Sequence, residues 1–171
     1  MLKQKDLINQ MPIATKSSRI NISKESKTKL IAEAFSKNLI SGDILLLNGE
    51  LGVGKTTFVK YLINAFQFNF KKSITEIPSP TFNIVNEYNF EKINIKHLDL
   101  YRIADEKELE NLGIFENNTH QITLIEWPKM IVKDKKFKNS INLLFEYEED
   151  YKKRFITFSS TKNISFLDAF K

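Results

Sequence analysis

An α/β fold with a mostly parallel central sheet is predicted by three consecutive features of this 171-residue chain. Ile44-Leu45-Leu46-Leu47 is an unbroken apolar run, as expected of a parallel strand buried on both faces. Gly49-Glu50-Leu51-Gly52-Val53-Gly54-Lys55-Thr56 follows and fits the G-x-x-x-x-G-K-[ST] pattern of a phosphate-binding loop. Phe58, Val59, Leu62, Ile63 and Phe66 then recur at helical spacing. Strand, glycine loop and amphipathic helix in that order predict a P-loop NTPase-like three-layer fold.

The remaining elements are consistent with it. Residues 1–18 lack clear periodicity and read as a flexible leader. Arg19-Ile20-Asn21-Ile22 alternates like a short strand. Ser23 is placed to cap a helix with Leu30, Ile31, Ala34, Phe35 and Leu39 on one face, ended by Ser41-Gly42-Asp43. Residues 67–80 form a connection whose end is stiffened by Pro78 and Pro80. Thr81 to Tyr88 and Ile93 to Leu98 read as strands joined by a short turn. Asp105-Glu106-Lys107-Glu108 begins a short helix with a capping-box-like pattern, and Gly113 is placed to stop it. Ile122-Thr123-Leu124-Ile125 is a second buried-strand candidate, halted by Trp127-Pro128. Ser140 to Tyr147 and Arg154 to Ser159 flank an acidic turn and predict a C-terminal antiparallel hairpin. With no repeats and no interior linker, one domain is expected over 19–160, followed by a tail at 161–171.

Composition narrows the function classes. Hydrophobic content of 42% and charged content of 27% are ordinary for a globular protein. No apolar run approaches the ~20 residues that cross a bilayer, and Met1 to Arg19 lacks the apolar segment of a secretory signal. The chain has no cysteine, which excludes disulfides and thiol chemistry. A cytoplasmic location without a membrane partner is the default. The net charge of +5 invites a nucleic-acid reading, yet the only arginines are Arg19, Arg102 and Arg154. The lysine run from Lys133 to Lys138 reads as a solvated face, and nothing resembles an RNA-binding motif with interleaved aromatics. No DNA partner is expected.

Each residue type in the loop meets a physical need. Glycines let successive N–H groups turn inward toward phosphate oxygens, and the following helix adds its positive N-terminal dipole. Lys55 offers an ammonium to the β- and γ-phosphates, Thr56 a hydroxyl to Mg²⁺, and Thr57 a further donor. Glycine is scarce here, at five residues, and Gly49, Gly52 and Gly54 all fall inside this one loop. A chance match is correspondingly remote.

Phosphoryl chemistry with Mg²⁺ also needs a carboxylate, usually at the end of a neighbouring strand. Leu124-Ile125-Glu126 and His97-Leu98-Asp99 both end an apolar strand in an acid. Spacing leaves open which acid holds metal and which orients water. His97 and His120 have no partner at zinc-ligand spacing, so His97 reads as a packed or hydrogen-bonding residue beside Asp99. Trp127 draws interest because it adjoins Glu126. The hydroxyls of Ser79-Pro80-Thr81 either shape a turn or line the site, and periodicity does not choose.

Taken in order, these motifs resemble the TsaE (YjeE) family of small bacterial P-loop ATPases. The matching segments are Gly49 to Thr57, Ser79-Pro80-Thr81-Phe82, His97-Leu98-Asp99-Leu100-Tyr101-Arg102, Glu108-Leu109-Glu110-Asn111-Leu112-Gly113 and Ile125-Glu126-Trp127-Pro128. The resemblance implies a weak ATPase that works with the TsaD and TsaB proteins. Together they attach a threonylcarbamoyl group to the adenosine next to the anticodon in tRNAs reading codons that begin with A. The transfer belongs to TsaD, the ATPase drives or resets the complex, and tRNA is met indirectly. The resemblance also implies that Leu51, Gly52, Val53, Gly54, Lys55, Thr56 and Thr57 bind ATP, with Arg154 bordering the nucleotide. It makes Thr56 and Glu126 the Mg²⁺ ligands, and it assigns turnover to Asp99, Glu126, Thr57 and Trp127, with Asp99 positioning water.

Three other readings are weaker. A P-loop kinase usually brings several arginines from a lid, which three widely spaced arginines hardly supply. A GTPase would carry an Asn/Thr-Lys-x-Asp motif, and Thr161-Lys162-Asn163-Ile164 lacks the acid. A binding module in which ATP sets partner affinity and hydrolysis is incidental overlaps with the family reading.

Overall fold

The computed structural model describes residues 13–114, 119–131, 134–148 and 151–170. Its strands are β1 (Thr15–Lys16), β2 (Ile20–Asn21), β3 (Ile44–Asn48), β4 (Val85–Asn89), β5 (Asn94–Asp99), β6 (Gln121–Glu126), β7 (Ile141–Tyr147) and β8 (Arg154–Ser160). Its α-helices are α1 (Glu25–Asn38), α2 (Lys55–Asn69) and α3 (Glu106–Asn111). They form one sheet in the order β1-β8-β7-β3-β6-β5-β4, with β2 also on β8. The central strands β7, β3, β6 and β5 are mutually parallel, while β4 and β8 run antiparallel at the flanks.

The apolar run in β3 serves both faces. Leu45 and Leu47 enter the core beneath α1 and α2, and Leu46 enters a smaller core on the opposite side. Successive strand side chains point to opposite faces, so a strand covered on both sides needs no polar alternation. In the larger core Phe35 of α1 meets Phe58 of α2 edge-on at 5.5 Å and Phe158 of β8 at 5.2 Å. The smaller core gathers Leu98, Ile103, Leu109, Ile125 and Phe137 under α3 and short turns. The three expected layers are present, with one outer layer thin.

Several local expectations are corrected. Helix α1 is capped by Lys24 without a side-chain bond, and the Ser23 hydroxyl instead accepts the Arg154 N–H at 3.0 Å. Its buried face is Thr28, Ile31, Ala32, Phe35 and Ser36, which leaves Leu30 exposed; the helix is rotated from the expected phase. Thr81 to Ile84 is a turn rather than a strand. The Ile84 N–H donates to the Pro80 carbonyl and Ile84 has φ 66°, so pairing starts only at Val85. Residues 15–18, expected in the leader, belong to the sheet edge. Thr15 and Lys16 pair with Ser160 and Ser159, and the Ser17 hydroxyl accepts the Phe158 N–H at 2.9 Å. In the expected tail, Ser165–Phe170 forms a 3-10 turn whose Phe166 ring packs on Phe35 at 5.1 Å. The earlier part of the leader lies outside the described residues. Lys135, Lys136 and Lys138 are exposed around buried Phe137, and no helix among the described residues is long and apolar enough to cross a membrane.

Candidate functional site

The C-terminal ends of β3, β5 and β6 build the site, as is usual for ligands of parallel α/β sheets. The loop leaves β3 at Gly49, where φ is 142°. A Cβ there would lie 2.6 Å from the Phe145 carbonyl oxygen, so only glycine lets the chain pass β7 this closely. Gly54, at φ 114°, turns the backbone into the first turn of α2.

Lys55 is buried, with 4% of its surface exposed. Its Nζ donates to the carbonyls of Gly49 at 3.0 Å and Glu50 at 2.8 Å, and lies 3.9 Å from the centroid of the Trp127 ring. Burial pushes its pKa down to about 8; the Glu126 and Asp99 charges pull upward, and Lys129 adds to the lowering. The loop thus holds a cation that is short of solvation and prepared for an anion.

The two strand-end acids are direct neighbours, because the parallel register of β5 and β6 pairs Asp99 with Glu126. Both are buried, at 4% and 2% exposure. Glu126 Oε2 accepts the Thr56 hydroxyl at 2.9 Å, and Oε1 faces His97 Nε2 at 2.9 Å. Asp99 Oδ1 accepts the Tyr101 N–H at 3.0 Å, and Oδ2 accepts the Thr81 hydroxyl at 2.7 Å. Ser79 lies 2.8 Å from Thr81, so the Ser-Pro-Thr hydroxyls reach the site through Asp99.

His97 is fully buried, and its Nδ1 has no hydrogen-bond partner among the described residues. A proton on Nδ1 would be a buried donor without an acceptor, at a cost of about 1–3 kcal/mol. The proton therefore belongs on Nε2, where it is donated to Glu126.

Trp127 leaves β6 in the left-handed region, at φ 57° and ψ 51°, a conformation costly for a non-glycine residue. Its ring is set over Lys55 and stacks at a tilt on Tyr101, centroids 4.9 Å apart. On the other flank of the loop is a hollow of about 240 Å³. Gly52, Gly54, Thr57, Ser23 and Arg154 line it. Leu51, at the loop tip, is exposed.

The donor set suits Mg²⁺. Thr56 and Glu126 present hard oxygen atoms side by side at a helix N-terminus. Among the described residues no group of three or more His, Cys, Asp or Glu gathers to cage a metal alone. Two protein oxygens completed by phosphates and water are the usual Mg²⁺ environment.

The structure brings together Lys55, Thr56, Asp99, Glu126 and Trp127, and places Thr57 and Arg154 at the adjoining hollow. Sequence reasoning missed the His97–Glu126 and Thr81–Asp99 bonds. His97 and Asp99 are two apart on one strand and so share a face, which places His97 near the site, but its partner Glu126 comes from the neighbouring strand β6.

A strand running into a glycine loop and helix, with acids ending two adjacent parallel strands, defines a P-loop NTPase-like protein. The family model described as threonylcarbamoyl adenosine biosynthesis protein TsaE matches residues 22–156. The chain belongs to the TsaE family. It is 41% identical over 110 residues to the tRNA threonylcarbamoyladenosine biosynthesis protein TsaE of Rickettsia prowazekii, covering 64% of this chain and 74% of that one. The protein of the same name from Bacillus subtilis is 40% identical over 107 residues, covering 61% and 63%. Among solved structures, YdiB of Bacillus subtilis superposes with a TM-score of 0.63 at 27% identity, covering 88% of each chain.

Proposed function

We propose that this chain is a Mg²⁺-dependent ATPase of the cytoplasm that supports tRNA threonylcarbamoyladenosine synthesis, acting with the TsaD and TsaB proteins. The observation that carries the reading is the convergence of Lys55, Thr56, Glu126 and Asp99 at the ends of three parallel strands. ATP binds with its β- and γ-phosphates against Lys55 and the N–H groups of Gly52 to Thr57, and its nucleoside toward the hollow bordered by Arg154. ATP is favoured over GTP by the family and by the missing guanine-reading motif.

Thr56 and Glu126 hold Mg²⁺, which when bound neutralises charge developing on the transferring phosphoryl group. Asp99, fixed through Thr81 and the Tyr101 N–H, accepts a hydrogen bond from the water that attacks the γ-phosphorus as ADP leaves. Trp127 covers Lys55 and keeps bulk water from the phosphate end. The phosphoryl group passes to water, and the tRNA substrate is handled by the partners.

A reconstituted tRNA-modification assay tests this reading. Omitting the chain should stop multiple-turnover modification by TsaD and TsaB, and Asp99→Ala should fail to restore it while still binding the partners. Full modification by Asp99→Ala with ATP turnover abolished would make the chain a nucleotide-dependent binding module instead.

A further inference from the structure

We propose that His97 is the positioning residue that fixes Glu126 for metal binding, an inference resting on the Mg²⁺ reading above. Each Glu126 oxygen is held from a different element. Thr56, on the first turn of α2, takes Oε2, and His97, inside β5, takes Oε1, both at 2.9 Å. β5 is paired on both sides, antiparallel with β4 and parallel with β6, so the imidazole stands on a rigid support. A glutamate side chain has three rotatable bonds, and Lys55, which attracts it, lies close by. The His97 N–H keeps the carboxylate from turning toward that ammonium and leaves Oε2 facing Thr56.

Packing alone does not account for a histidine here. On the same face Ile95, two residues earlier, and Leu124, across on β6, are apolar. Asp99, two residues later, and Asn86, across on β4, are polar but bond to Thr81, Tyr101 and Pro78 rather than to this ring. Leucine or isoleucine would fill the space without burying a ring nitrogen, and Nδ1 is left with no partner among the described residues. Among the described residues, the bond to Glu126 is the one hydrogen bond this ring makes. Supporting contacts of metal ligands typically change metal affinity by about 10- to 100-fold when removed.

The test titrates Mg²⁺ into the full chain with a fluorescent methylanthraniloyl-ATP, and measures the metal concentration that gives half the gain in nucleotide affinity. His97→Leu should raise that concentration about tenfold or more. Nucleotide binding in EDTA should stay within about twofold of wild type, since the phosphate loop itself is untouched. His97→Gln carries an amide N–H at similar reach and should restore most of the metal response. His97→Asn is too short and should behave like His97→Leu, so the Asn and Gln variants carry the comparison if the leucine variant fails to fold. An unchanged metal response in His97→Leu, or equal losses with and without metal in all three variants, would overturn the positioning role. A wild-type protein that binds the nucleotide no more tightly with Mg²⁺ would instead overturn the metal reading itself.

Discussion

Raising the pH from 7 to 9 should strip the phosphate loop of the charge it offers to ATP, because burial sets the free Lys55 ammonium at about 8 rather than 10.5. At pH 7 roughly nine in ten molecules carry the charge, and at pH 9 roughly one in eleven, by ordinary titration around that value. Once ATP is bound, its phosphates favour the charged form and keep the proton in place over this range. Affinity should therefore weaken about tenfold between pH 7 and 9, or about 1.4 kcal/mol, with nearly one proton taken up per ATP at the upper end. Calorimetry in two buffers of different ionisation enthalpy reads both quantities. Lys55→Arg is the control, since a guanidinium keeps its charge throughout and should flatten the profile. A wild-type affinity constant within twofold across the range, or an equal slope in Lys55→Arg, would refute the reasoning. The unliganded protein should show the opposite trend. Between about 8 and 10.5 the unfolded chain holds a lysine proton that the folded chain has lost, so this residue's contribution to stability rises with pH across that window.

Gly49→Ala should destabilise the fold by about 2 kcal/mol or more in urea denaturation, since its Cβ would press on the Phe145 carbonyl at a φ of 142°. A change under about 0.5 kcal/mol would show that the loop can move aside. Phe35→Ala removes a fully buried ring that meets Phe58, Phe158 and Phe166, and should cost about 3–5 kcal/mol by the same assay. Asp99→Asn should leave ATP affinity within about twofold while slowing phosphate release about 100-fold or more; comparable losses in both would place Asp99 in binding.

The phosphate loop was legible because local chemistry dictates it: Gly49, Gly54 and Lys55 do their work within eight residues of chain. So was the hairpin of β7 and β8, where alternation on both sides of a turn specifies pairing. Helix α3 likewise shows the expected cap, with the Glu108 N–H donating to Asp105 at 3.0 Å. What sequence could not supply was lateral order. Asp99 and Glu126 each ended a strand in the sequence, but their adjacency follows from β5 and β6 lying side by side, which no local signal encodes. The histidine bond to Glu126 spans 29 residues and depends on the same adjacency. The turn from Thr81 to Ile84 was hidden by its strand-forming composition, which the backbone bond to Pro80 overrides. The phase of α1 departs from its apolar pattern because Thr28 and Ser36 line its buried face while Leu30 is left in solvent.

The most direct test of the ATPase reading is phosphate release by the purified chain, followed with and without Mg²⁺ and with and without the TsaD–TsaB pair. Slow release that requires Mg²⁺ and rises when both partners are added is the predicted result. Release that is absent, indifferent to Mg²⁺ or unchanged by the partners would contradict it.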